Sequence, residues 1–294
     1  MKALPLPEQS GTVTALSWSP DGTRIAGVCD DGTVLIWKIA SGEIVFQQQL
    51  ARVRLLTIDW SPNGRCIALG GEHSALTILQ VRNGALVLSH LFRAPVKKIA
   101  WSPQGERFLV AVSRTIYIFH RGQLEPVALE QSSAVRDIAW SPTGSRFASV
   151  CEDGTVQVYN ALRRREACML THVDILNPRC VAWSTDGRDV GIGTASGLLQ
   201  VHDGSCGQRY TTYVLSSSSI EQLFWSDPYL VAKDQQQHIA LWDLRPRELS
   251  GELTDLYSCA QRVVAVSPSG EQLATSTKHR IAVGPAREML HALC

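Results

Sequence analysis

One short string constrains this chain more than anything else in it. It stands as WSPDG at Trp18, WSPNG at Trp60, WSPQG at Trp101, WSPTG at Trp140 and WSTDG at Trp183, as a degraded WSDP at Trp225 and as VSPSG at Val266. The successive spacings are 42, 41, 39, 43, 42 and 41 residues. A period this steady, with no insertion between units, means that one supersecondary unit has been copied seven times. At about 150 residues per domain a chain of this length would suggest two domains; the 294 residues instead read as one continuous array.

Each unit reads as strands. In the first, the β-rich run Thr12 to Ser17 meets Ser19-Pro20-Asp21-Gly22, with Ser, Pro and Gly at the positions a type I turn favours. Arg24 to Cys29 forms a second strand, Asp30-Asp31-Gly32 a tight hairpin connection, and Thr33 to Ile39 a third strand. Ser41-Gly42 turns the chain into Glu43 to Gln48. No window holds a 3.6-residue apolar period, so four antiparallel strands per unit predict an all-β, seven-bladed propeller rather than a helical solenoid. The blades start near residues 12, 54, 95, 134, 178, 219 and 261.

The third strands add a second signal. The positions equivalent to Trp37 are Leu79, Phe119, Tyr159, His202, Trp242 and Val283; with Trp37, four of the seven are aromatic and suited to packing between adjacent blades. Trp242-Asp243 is a Trp-Asp dipeptide. Through the WSPDG turns, the strands DGTVLIW and DGTVQVY, and the period, the chain resembles the WD-repeat (Trp-Asp repeat) β-propeller family over essentially its full length. Six-bladed Tol-type and peptidase propellers share the turn but lack the aromatic third strand.

The resemblance has gaps. The family's Gly-His pair is missing before every first strand, and the aspartate of the second-to-third turn survives clearly only at Asp31 and Asp153. The Asp-His-Ser-Trp network implied by the family is therefore expected to be absent or partial, with apolar packing carrying more of the stability. Leu6-Pro7-Glu8-Gln9-Ser10 aligns with Ala128-Leu129-Glu130-Gln131-Ser132 of the third unit. Residues 1–9 are thus the favoured closing strand of blade seven, because Pro5 and Pro7 are tolerated on such an edge; Glu288 to Leu293 is the alternative.

Little in the sequence calls for catalysis, a metal or a cofactor. There is no G-x-S-x-G, H-E-x-x-H, P-loop or EF-hand pattern. Gly191 to Gly197 has the wrong spacing for a dinucleotide fingerprint and lies in a strand pattern. The eight histidines fall nearly one per blade without paired-ligand spacing, and His202 reads as a packed, hydrogen-bonded ring. The eight cysteines form no C-x-x-C pair, and Cys29 and Cys151, in matching VCDDG and VCEDG contexts, read as small buried hydrophobes. The connections are near minimal length, which leaves no residues for a lid. No apolar run approaches the length of a membrane span, and no signal-peptide pattern opens the chain, so a cytoplasmic address is expected.

Recognition remains. In this family the usual docking surface is the face made by the fourth-to-first and second-to-third loops. The residue four before each first-strand aromatic should stand near the channel mouth there: Thr14, Leu56, Lys97, Arg136, Arg179, Glu221 and Arg262. Four of these seven are basic, and Arg54 and Lys98 lie beside them, although Lys plus Arg at 28 against Asp plus Glu at 27 leaves a formal charge of only +1. Lys97, Arg136, Arg179, Arg262, Arg54 and Lys98 are the candidate partner-binding residues, for an acidic or phosphorylated protein segment. The competing account pairs them with acids such as Asp30, Asp31, Glu152 and Asp153. The basic run Arg163-Arg164-Arg165 makes too few contacts for tight nucleic-acid binding, and Ser216 to Ser219 reads as a flexible polar loop. The favoured function is a non-catalytic protein-interaction scaffold. An enzyme or small-molecule binder using the central channel, and an RNA- or phosphate-binding module that the neutral charge balance disfavours, stay open as alternatives.

Overall fold

The Ser-Pro-x-Gly string makes a turn for a specific reason. Ser19 Oγ accepts the amide of Arg24 at 2.9 Å, and the Arg24 carbonyl accepts the Ser19 amide at 2.9 Å, so one serine satisfies both main-chain groups where the second strand begins. The Gly22 amide donates to the Ser19 carbonyl at 2.9 Å, and Gly22 has φ +66°, a left-handed conformation that glycine adopts without a Cβ clash. The same hydroxyl-to-amide bond recurs from Cys66 to Ser61, Arg107 to Ser102, Arg146 to Ser141, Asp189 to Ser184 and Gln272 to Ser267.

In a computed structural model the seven copies form seven four-stranded antiparallel sheets. It describes residues 4–5, 11–50, 52–123, 125–161, 165–169, 177–214, 216–226, 229–236, 238–243, 255–258, 263–276 and 281–285. Blade one runs from the innermost strand a, Val13–Trp18, through b, Arg24–Cys29, and c, Thr33–Lys38, to the outermost d, Ile44–Gln49. The innermost strands of blades two to six are Leu55–Trp60, Val96–Trp101, Val135–Trp140, Pro178–Trp183 and Ile220–Ser226. In blade seven, Val263–Val266, Gln272–Ser276 and Ile281–Pro285 are joined by Leu4–Pro5, with Leu4 opposite Val283 and Pro5 opposite Ala282. Leu4–Pro5 thus form the outer strand of the last sheet, where a proline costs no ladder bond. Residues 288–293 lie outside the described residues.

The core lies between blades. Trp37, fully buried, packs with Trp18 from its own blade and with Val263, Ala265 and Val283 from blade seven. The other described third-strand positions, Leu79, Phe119, Tyr159, His202 and Val283, are buried as well. Phe119 stacks on Phe108, and Tyr159 on Phe147, at centroid distances of 4.8 and 4.9 Å. The His202 ring sits between the Gly207 carbonyl and Gln200 Oε1, each at 3.2 Å. The Trp242 side chain is outside the described residues. Glycines in blade five are set by close approach: a Cβ on Gly193 would lie 2.6 Å from Cys180 Sγ and 2.8 Å from an Ile220 methyl.

Polar bonds stitch the blades more than the missing Gly-His pair suggests. First-strand indoles reach back to the preceding innermost strand: Trp18 Nε1 donates to the Ala265 carbonyl at 3.1 Å, Trp140 to Ala100 at 2.9 Å and Trp183 to Ala139 at 3.2 Å. In blade four, Gln131 before the first strand accepts Ser149 Oγ at 3.2 Å or Tyr159 Oη at 2.9 Å. Gln131 therefore takes the place of the absent histidine in a variant of the family's network. Blade six keeps a turn aspartate that the sequence pattern concealed: Asp234, 3% exposed, accepts the His238 amide at 2.8 Å, His238 Nδ1 at 2.9 Å and Ser216 Oγ at 2.5 Å. Burial alone would raise its pKa, but the bonds from Ser216, Ser218 and His238 together lower it. The serine run 216–219 is accordingly a bonded loop rather than a free polar one, with Ser219 buried and donating to Glu221 Oε1 at 2.8 Å.

Candidate functional site

The innermost strands of blades one to six each slip register once at the start, and the slip falls in the same place. The breaks lie between Val13 and Ala15, Leu55 and Thr57, Val96 and Lys98, Val135 and Asp137, Pro178 and Cys180, and Ile220 and Gln222. The residue left over is Thr14, Leu56, Lys97, Arg136, Arg179 or Glu221. A β-bulge opposes two residues to one, sharpens the local twist and re-aims the side chain. The positions counted from the first-strand aromatics are therefore bulge positions.

Four of the six candidate residues come together. Lys97, Lys98, Arg136 and Arg179, from blades three, four and five, line a single cavity of about 270 Å³ with Asp137, Glu152 and the blade-six residues Glu221 to Phe224. Arg54 does not line it; this arginine lies 3.8 Å from Glu72, with both side chains about half exposed. Arg262 is outside the described residues.

The cavity is not uniformly basic. Lys98 Nζ is 2.9 Å from Asp137 Oδ1, and the Asp137 charge is the main cause holding the Lys98 pKa above its ordinary value. Lys97 Nζ is 3.7 Å from Glu152 Oε1, a half-exposed pair worth little. To that extent the competing ion-pair account holds, through Glu152. Asp31 and Asp153 are engaged with the amides of Thr33 and Thr155 in their own turns. Among the described residues no carboxylate lies within 4 Å of Arg136 or Arg179, and Arg179 Nε is buried without a hydrogen-bond partner. Behind Glu221, Lys233 is 4% exposed, and burial pulls its pKa down to about 8 against the opposing charges of Glu221 and Asp234.

Two acids of the innermost strands escaped the sequence reading. Asp137 accepts the amide of Val181 in the next blade at 3.0 Å and that of Ile138 at 3.0 Å. Asp59 accepts the Trp101 amide from the next blade at 2.7 Å, the Trp60 amide at 3.0 Å and Ser17 Oγ from the previous blade at 3.5 Å. Ser17, Ala100, Ala139, Ala182, Phe224 and Ala265 occupy the position of Asp59 in other blades. The one acid among uncharged residues was the available signal. Where that position is Ser17 or Asp59, the indole that would reach back, on Trp60 or Trp101, has a buried Nε1 with no partner.

Known proteins agree with this architecture. The family model described as WD domain, G-beta repeat, matches residues 4–38 and 126–160. Telomerase protein component 1 of Rattus norvegicus is 24% identical over 274 residues, covering 90% of this chain and 10% of that protein. THO complex subunit 3 of Arabidopsis thaliana is 28% identical over 128 residues, covering 43% of this chain and 40% of its own length. Eukaryotic translation initiation factor 3 subunit I of Lodderomyces elongisporus is 24% identical over 208 residues, covering 71% and 53%. The chain thus spans between a tenth and about half of the length of these relatives. The solved β-propeller domain of Myceliophteria thermophila Cps50 (Swd1) superposes with a TM-score of 0.81 at 15% identity, covering 96% of this chain and 99% of that one. The chain is a seven-bladed β-propeller, and two of its segments match the WD-repeat model.

Proposed function

We propose that this propeller is a non-catalytic scaffold that docks an acidic or phosphorylated segment of a partner protein at the cavity formed by the starts of its innermost strands. The observation that carries the reading is the position of Arg136 and Arg179. They stand at bulges of adjacent blades, line one cavity, and have no carboxylate within 4 Å among the described residues, whereas Lys97 and Lys98 beside them are paired. An arginine fork held in this way favours bidentate contact with a carboxylate or phosphate. Leu223 and Phe224 supply an apolar wall for the residues flanking that group. Two of the relatives are by name subunits of larger assemblies, which favours a role in holding proteins together.

The test is fluorescence anisotropy with arrays of acidic and phosphoserine peptides on the wild type and the double variant Arg136→Glu/Arg179→Glu. Binding should weaken with salt, and charge reversal should lower affinity about a hundredfold, from the loss of two charge-assisted contacts. Equal affinity of wild type and double variant for a peptide that binds would refute this docking site.

A further inference from the structure

The second strands of blades one, three and four all begin with arginine: Arg24, Arg107 and Arg146. In two of them the guanidinium is tied to the neighbouring blade. Arg107 Nη1 donates to the Ala161 carbonyl at 3.1 Å, and Arg146 Nη1 to the Gly204 carbonyl at 2.8 Å, each in the connection leaving a third strand. The matching residue beside Arg24 is Val81. Its amide bonds the Arg65 carbonyl just as those of Ala161 and Gly204 bond the carbonyls of Ser145 and Arg188. Arg24 makes no such bond among the described residues. Its guanidinium carbon lies 5.5 Å from the centre of the buried Trp60 ring, within cation–π range.

The released arginine lines a cavity of about 510 Å³ between blades one and two, together with Arg65 and Arg82 and with no carboxylate in its lining. None of the three has a carboxylate within 4 Å among the described residues. The nearest acid to act on Arg24 is Asp21, whose carboxylate is already held by Ser19 Oγ and by the amide and hydroxyl of Thr23. The corresponding cavity between blades four and five, about 610 Å³, shows the contrast: Asp186, Asp189 and Asp203 there face Arg146 and Arg188. The same place in the fold is balanced in one pair of blades and carries three unopposed guanidinium groups in another.

We propose that the cavity of Arg24, Arg65 and Arg82 is an anion site for a small ligand bearing two adjacent phosphate groups. It lies at the opposite end of the strands from Arg136 and Arg179 and is independent of the docking function. A single phosphate monoester carries about −1.5 to −2 near neutral pH, so one leaves the three arginines in charge excess and a second balances them. The planar forks of Arg65 and Arg82 suit bidentate contacts to neighbouring phosphates, while Trp60 holds Arg24 in place.

Titration calorimetry with inorganic pyrophosphate, inorganic phosphate and sulfate tests the site on the wild type, Arg65→Glu, Arg82→Gln and Arg136→Glu/Arg179→Glu. Pyrophosphate should bind more tightly than phosphate or sulfate. Each of the Arg65 and Arg82 variants should weaken it about tenfold or more, with circular dichroism unchanged because both side chains are exposed. The Arg136/Arg179 variant should bind pyrophosphate like the wild type, which separates this site from the docking cavity. Co-sedimentation with phosphatidylcholine vesicles containing phosphatidylinositol bisphosphate distinguishes the source: capture by vesicles, lost in Arg65→Glu, places the phosphates on a lipid headgroup. The proposal is overturned if neither pyrophosphate nor vesicles bind, or if binding is indifferent to both the Arg65 and Arg82 variants.

Discussion

Asp59 should make the stability of this propeller fall as pH rises through the weakly acidic range. Its carboxylate sits in a junction of three blades where other blades carry uncharged residues. Desolvation pushes its pKa from 3.8 up to about 6, against the opposing effects of the Trp101 and Trp60 amides, Ser17 and the Lys98 charge. The unfolded chain releases this proton near pH 4 and the folded chain near pH 6, so between those values the folded state binds more protons. The contribution of Asp59 to the unfolding free energy must then decrease with pH across that window. A shift of about two units corresponds to about 3 kcal/mol, a penalty absent below about pH 4 and complete above about pH 6. Urea denaturation at intervals from pH 4 to 8 reads it, with Asp59→Asn and Asp59→Ala as references that cannot ionise. The alanine variant copies the junctions at Ala100 and Ala139. The stability difference between wild type and either variant should drop by about 3 kcal/mol from pH 4 to 7; a difference constant over that range would refute the burial argument.

Removing Trp37 should cost about 3 to 5 kcal/mol, as for other buried aromatic deletions, because the ring joins blades one and seven. Trp37→Phe should stay within about 1 kcal/mol of wild type, since the lost volume is offset by removing a buried indole N–H that has no partner; denaturant midpoints of both variants check this. Deleting residues 1–9 removes the strand paired with Ile281–Pro285 and bares a sheet edge. Such a protein should melt at a lower temperature or aggregate, and an unshifted, monomeric melt in scanning calorimetry would show that the pairing contributes nothing.

The fold was legible because its two strongest signals are local. A Ser whose hydroxyl and amide satisfy the amide and carbonyl five residues on, and a glycine in the left-handed region after it, need no partner from elsewhere in the chain. They repeat wherever the turn repeats. The bulge positions were legible for a related reason: the break keeps a constant distance from the first-strand tryptophan, so counting back from it reaches the same irregularity in blades one to six. Less visible were the second-to-third turns of blades two and three, where Ser74 and Ser113 take the left-handed conformation (φ +56° and +51°) that glycine supplies elsewhere. Gln131 also went unrecognised, because a histidine was the pattern sought.

Charge at the cavity was legible only by halves. The sequence places Lys97, Lys98, Arg136 and Arg179 correctly along their strands, but whether each is free depends on acids contributed by other blades. Lys98 is quenched by Asp137 of blade four, and Asp137 is oriented by the Val181 amide of blade five. Lys97 meets Glu152 of the following blade's turn. These couplings span one repeat or more, and nothing in the periodicity specifies them, since the acids do not recur. The same logic separates Arg24 from Arg107 and Arg146: three arginines at equivalent positions have different fates because the neighbouring blade either accepts the guanidinium at a carbonyl or offers it an indole face. In a propeller the repeat therefore determines where a side chain stands, and departures from the repeat in the adjacent blade determine whether it is left available to a ligand.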